Sequence, residues 1–177
     1  MSGLSAFCPR GATLKIELRN VKYFASGSEE TACFTASIYV DGKKAGTAQN
    51  HGTGGPTMVN PFTLEKQIND YAATLPLAKL DLGGGDGKTV EYKQTAEHLI
   101  DDLLTQFLIE KDLRSALSKR VIYTKKGTKG IFQSKVLTAK VLAAHLAHPL
   151  LCEKWNIDVL LNALPFGEAL VLFKAQG

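Results

Sequence analysis

Two strand-like runs flank Asp41-Gly42, and no other feature narrows the fold of this chain so far. Over residues 33–40, Phe34, Ala36, Ile38 and Val40 fall on one side of an extended chain, and residues 43–50 are able to run straight back. Aspartate and glycine both tolerate the positive φ angles of a tight two-residue turn, so the pattern predicts an antiparallel hairpin. Upstream, Leu14, Ile16 and Leu18 alternate with Lys15, Glu17 and Arg19. Such period-2 alternation describes a sheet with one wet face, and Val21 and Tyr23 continue it past Asn20. The polar stretch 25–31 joins this strand to the hairpin.

A glycine-rich loop, residues 50–56, follows the hairpin, and a helix follows the loop. Asn60 is expected as its N-cap with Pro61 at the first helical position, and Pro76 ends it. Leu64, Ile68, Tyr71, Ala72 and Leu75 make one apolar stripe, which lays the helix on the dry face of the sheet. Residues 81–88 hold four glycines and read as a flexible joint. Beyond them the period changes from two to 3.6. Thr95 caps a helix with a stripe of Ala96, Leu99, Ile100, Leu103, Leu104, Phe107 and Leu108. The stripe slips at Glu110-Lys111, where Asp112 is expected to open a short second helix through Leu113, Ala116 and Leu117. Segments 120–124 and 131–135 read as strands around 125–130. Residues 138–148 and 158–164 read as helices, and 166–174 as a last helix after Pro165, with a closing strand as the alternative. The expected fold class is therefore α+β: an N-terminal antiparallel β-sheet with one packed helix, then a helical C-terminal half with a small basic β-hairpin. The expected division is 1–80, a connection at 81–88, and 89–177.

At 177 residues, 45% apolar and 21% charged, the chain has enough core to fold without disulfides or metals. No apolar run approaches the roughly 20 residues of a membrane span. Residues 1–11 offer neither a basic nor an apolar region of a signal peptide and read as a frayed tail. Cys8, Cys33 and Cys152 are odd in number and lack C-x-x-C spacing, which fits reduced thiols in a cytoplasmic protein. Cys33 and Cys152 are expected as small buried hydrophobes.

Charge is the most informative functional signal. Between Leu113 and Cys152 stand Arg114, Lys119, Arg120, Lys125, Lys126, Lys129, Lys135 and Lys140, with no acid among them. Residues 81–112 hold eight acids against three lysines. Lysine and arginine displace condensed counterions from nucleic acid, so an acid-free run across helix, hairpin and helix is a candidate phosphate-contact surface. The alternative is a solvated face that pairs with the acidic segment before it or that aids solubility.

Asn50, His51, Gly52, Gly54 and Gly55 form the second candidate, because a glycine loop ahead of a helix can cradle an anion. The loop lacks both phosphate-binding glycine signatures, and Pro56 and Pro61 remove two donors, so a wide structural turn is the competing reading. His51 needs a carboxylate or thiolate partner to act as a base. His145 and His148 share a helix face without an apparent third ligand, so no metal and no cofactor are expected. Asp101 and Asp102 point apart on a helix and read as solvated acids. Ser28 and Thr31 read as turn-shaping hydrogen-bonders.

Residues 18–23 (LRNVKY), 28–36 (SEETACFTA), 39–44 (YVDGKK), 50–55 (NHGTGG) and 162–170 (NALPFGEAL) together resemble small uncharacterised proteins of bacteriophages and bacterial mobile elements. The resemblance implies a role in the bacterial host cytoplasm, such as binding and inhibiting a host nuclease or defence complex, and transfers no site residue. The leading expectation is a non-catalytic protein that binds nucleic acid or a nucleoprotein complex through its basic half. A host-protein inhibitor and an enzyme centred on the glycine loop are the alternatives.

Overall fold

A computed structural model describes residues 14–81 and 89–176 of the chain. The expected tail at 1–11, with Cys8, and the glycine connection from residue 82 lie outside the described residues. The chain divides into two compact units, 1–104 and 105–177.

The first unit is built on four antiparallel strands in the order β1-β2-β3-β4: Ile16–Tyr23, Phe34–Val40, Lys43–Asn50 and Met58–Asn60. The turn between β2 and β3 places Asp41 at φ 49° and Gly42 at φ 80°, as the hairpin requires. Asp41 also fastens β1, since its N–H donates to the Lys15 carbonyl at 2.9 Å and its Oδ1 accepts from the Lys15 N–H at 3.1 Å. Asn20, at φ 52°, sits in a register shift between Arg19 and Lys22, and pairing resumes beyond it. Phe34, Ala36, Ile38 and Ala48 are buried, which makes one face of the sheet the dry one.

Helix α1, Phe62–Ala72, buries Leu64, Ile68 and Ala72. It lies close on the sheet: a Cβ added at Gly46 of β3 would meet the Leu64 side chain at 2.6 Å and overlap the Asn60 carbonyl. Glycine is needed there to let the helix approach. Asn60 does not cap α1; it pairs with Thr47 as the end of β4, and Pro61 takes the capping position. Two strands that alternation did not reveal, β5 (Ala78–Asp81) and β6 (Thr89–Tyr92), pair antiparallel on either side of the glycine stretch. Helix α2, Ala96–Leu117, is continuous. The helix runs through Glu110-Lys111 without a break, since no glycine or proline stands there, and Asp112 opens no second helix. Thr95 caps α2 as expected, its hydroxyl accepting from the His98 N–H at 3.4 Å, and Asn69 of α1 adds an acceptor for the Ala96 N–H at 2.7 Å.

In the second unit β7 (Ile122–Lys125) pairs antiparallel with β8 (Thr128–Gln133) on one side and β9 (Ile157–Leu160) on the other. Apolar clusters lie on both faces. Val121, Tyr123, Leu142, Leu151 and Ile157 form one, joined by Phe132 and Trp155. Leu113, Ile122, Leu161 and Ala169 form the other, joined by Ile131 and Phe166. The first draws on α3 (Ala139–Leu146) and α4 (Leu151–Lys154), the second on the end of α2 and on α5 (Phe166–Gln176). The helix expected at 158–164 is instead β9 followed by a short 3-10 turn, Leu161–Ala163. Alternation over Ile157 and Val159 is too short to stand out beside Leu160-Leu161. Asn162 ties the layers, accepting from the Ile122 N–H at 2.7 Å and donating to the carbonyls of Arg120 at 2.9 Å and Leu117 at 3.1 Å. Cys33 is half-buried and Cys152 is exposed, so neither is the fully buried thiol expected.

Candidate functional site

The glycine loop is organised by one side chain. Asn50, only 6% exposed at the end of β3, accepts through Oδ1 from the Thr31 hydroxyl at 2.9 Å and the Gly52 N–H at 2.8 Å. Its Nδ2 donates to the Gly55 carbonyl at 2.9 Å and the Thr57 hydroxyl oxygen at 3.3 Å. The Gly52 carbonyl in turn accepts from the N–H groups of Glu29, Glu30 and Thr31 at 2.9–3.3 Å. Gly52 holds φ 86°, and a Cβ there would overlap the Gly27 carbonyl. Gly52 is thus consumed by close backbone packing, whereas a Cβ at Gly54 would meet only the Glu30 side chain and one at Gly55 would meet open space. The Gly52 N–H points at Asn50 and the Gly54 N–H at the Thr31 hydroxyl, at 3.4 Å, so these donors are turned inward rather than towards an anion.

His51 is exposed, and among the described residues it hydrogen-bonds to no acid, base or thiol. His98 meets the Thr95 hydroxyl at 2.8 Å, His145 packs on the Trp155 ring, and His148 accepts from the Leu150 N–H. Among the described residues no three His, Cys, Asp or Glu side chains gather in a metal-binding group. Ser28 shapes its turn as expected, donating to the Phe24 carbonyl at 3.0 Å and accepting from the Cys33 N–H at 2.8 Å.

The loop is latched to α2 by residues that motif reasoning passed over. The Thr57 hydroxyl donates to Asp101 Oδ1 at 2.7 Å, and the Thr57 N–H donates to Glu97 Oε1 at 3.0 Å. Asp101 is therefore no freely solvated acid. Burial raises its pKa, the Thr57 hydrogen bond opposes that, and the nearby Glu97 charge adds to the rise. Sequence carried no signal for this pairing, since the partners stand 44 residues apart.

The eight basic residues do not all lie on one face of the second unit. Arg114 stacks its guanidinium 3.7 Å from the Phe166 ring centroid, on the α2–α5 side. Lys125 holds its ammonium 4.6 Å from the Phe132 ring centroid, on the α3–α4 side. Arg120 reaches the Ser134 carbonyl at 3.4 Å. Lys119, Lys126, Lys129, Lys135 and Lys140 are exposed. Among the described residues none of the eight forms an ion pair; the pairs present are Lys15–Glu17, Arg19–Glu17 and Lys79–Glu91. No described helix is long and apolar enough to cross a membrane. Compared with family models, with curated proteins and with solved structures, the chain matches none, and the functional reading rests on geometry.

Proposed function

We propose that the chain is a binding protein whose second unit contacts the phosphate backbone of nucleic acid. The observation that carries this reading is the set of eight basic side chains between Leu113 and Cys152 with no ion pair among the described residues. Residues 105–177 hold eleven Lys or Arg against five Asp or Glu, so the unit attracts polyanions as a whole. The end of β7, the turn after it and the start of β8 hold Lys125, Lys126 and Lys129 within a five-residue span, a small basic hairpin in the reading proposed. The nearby aromatic rings are committed to the core: Tyr123 is buried and stacks on Phe132 at 5.9 Å. That favours backbone contact over base stacking, and hence weak dependence on nucleotide sequence.

The test is fluorescence anisotropy with short single-stranded and duplex DNA and RNA across a salt series. Binding that weakens steeply with salt is expected, with the log–log slope falling by roughly 2 to 3 when Lys125, Lys126 and Lys129 are all changed to Glu. Absence of binding at low ionic strength, or a triple variant that binds like the parent, overturns the proposal.

A further inference from the structure

A concavity in the first unit has the opposite character. It is a solvent-open hollow of about 470 Å³ between the loop, β4 and the starts of α1 and α2, and its lining includes Thr57, Asn60, Phe62, Glu65, Asn69 and Glu97. That volume lies within the range of small-molecule sites. The lining contains two carboxylates and no Lys, Arg or His. Glu65 stands in the first turn of α1 and Glu97 in the first turn of α2. Among the described residues neither forms an ion pair, and one oxygen of Glu97 is already held by the Thr57 N–H. Half-buried Asp101 stands behind Thr57 and adds a third acid near the wall.

The second observation is apolar. Phe62 leaves 74% of its surface in water and Met58 41%, although both line a concave site. An aromatic ring beside unpaired carboxylates is the combination that recognises an organic cation: acids neutralise the charge, the ring face attracts it, and the thioether covers its hydrocarbon arm. A divalent metal is a poor match, because among the described residues no cluster of three or more metal ligands exists.

We infer that this concavity binds a guanidinium or alkylammonium group, with Glu65 and Glu97 as the anionic contacts and Phe62 as the aromatic wall. The group arrives either on a small molecule or on an exposed arginine or lysine of a peptide, and both present the same chemistry.

The experiment is a heteronuclear NMR titration of the full chain with ethylguanidinium, its neutral isostere ethylurea, butylammonium, calcium ion, and a short glycine peptide carrying one arginine. Saturable shifts confined to the lining residues are expected for the two cations, with dissociation constants on the order of 1 mM, as befits fragments of this size. Tighter binding of the peptide than of ethylguanidinium identifies a protein side chain as the source; equal or weaker binding identifies a small molecule. Glu65→Gln and Phe62→Leu should each weaken cation binding about fivefold or more while leaving distant resonances in place. Glu97→Gln keeps an acceptor for the Thr57 N–H and serves as the second charge variant. Equal binding of ethylurea and ethylguanidinium, a preference for calcium, or no shift in the lining overturns the inference.

Discussion

Replacing Asn50 tests whether the glycine loop is a structural device, and the expected size follows from its four hydrogen bonds. Asn50→Ala removes the acceptor for Thr31 and Gly52 and the donor for Gly55 and Thr57. The Thr31 hydroxyl and the Gly55 carbonyl have access to water and recover part of their loss. Gly52 and Thr57 are buried and recover less. A hydrogen bond contributes about 1 kcal/mol net, and a stranded buried group costs about 1–3 kcal/mol, so Asn50→Ala should destabilise by about 2–4 kcal/mol. Against a usual total of about 5–15 kcal/mol, that is a large share.

Asn50→Asp discriminates further, because it preserves shape and the Oδ1 acceptor. The lost Nδ2 leaves an oxygen against the Gly55 carbonyl and against the Thr57 hydroxyl, whose proton is already given to Asp101. The near-isosteric variant should therefore be destabilised at least as much as the alanine variant at neutral pH. It should recover in acid, where the introduced carboxyl is protonated and donates again. Urea titration followed by far-UV circular dichroism reads this as a midpoint shift of about 1–2 M. Hydrogen exchange at the amides of Glu29, Glu30 and Thr31 reads the loop itself, since all three donate to the Gly52 carbonyl. A midpoint shift under about 0.5 M for both variants, or an aspartate variant as stable as the parent, refutes the assignment of Asn50 as the organiser.

Gly52→Ala should destabilise by about 3 kcal/mol or prevent folding of the first unit, because it combines φ 86° with a clash against the Gly27 carbonyl; Gly55→Ala, with open space around its Cβ, is the near-neutral control in the same urea assay. Asp101→Asn should stabilise the chain at neutral pH: burial raises the Asp101 pKa, so its contribution is present below the unfolded value near 3.8 and lost as pH rises through the folded one. The variant keeps an acceptor for Thr57, and the gap in urea midpoint should close towards pH 3, a flat difference across pH counting against the argument. Glu17 should titrate near its depressed value of about 2, held there by hydrogen bonds first from Lys15 and then from Arg19, so carbon-detected NMR should show a rise in Lys15→Ala. Any contribution of Glu17 to stability is present above its ordinary value and lost as pH falls towards about 2, and its solvent-facing position keeps that contribution small.

Local chemistry explains which parts of this architecture could be read in advance. Asp41-Gly42 and the alternation of Phe34, Ala36 and Ile38 are signals within a few residues of one another, and both appear in the fold as read. The stripe of Leu64, Ile68 and Ala72 is equally local. What escaped depends on distant partners. Asn60 carries a strong capping preference, yet strand pairing with Thr47 outcompetes it. Residues 157–160 become a strand because β7 offers an edge, with the Val159 N–H also reaching the Thr124 hydroxyl at 3.1 Å. Asn50 was visible as a loop residue, whereas its role as organiser depends on Thr31 and Thr57, brought in from opposite directions.

The electrostatic reading changes most when geometry is added. A one-signed run in sequence suggests a one-signed patch, but Arg114 and Lys125 lie against opposite apolar clusters of the β7–β9 sheet. A wide distribution of this kind suits a long, uniformly charged partner better than a compact anion, because backbone phosphates are engaged as a series and each contact adds to the salt slope. The opposite arrangement holds in the first unit, where Glu65 and Glu97 converge on one concavity beside Phe62 and so suit a single cationic group. Like charges left without partners destabilise a compact unit through self-repulsion, and an external counter-charge relieves it. The two surfaces should then differ in their response to salt. Polyanion binding should fall by orders of magnitude between about 50 and 200 mM salt, and monovalent cation binding by only a few-fold, the smaller change being that of one screened contact. A polyanion affinity that fades no faster than the cation affinity would argue that a few residues, rather than the dispersed set, carry the contact.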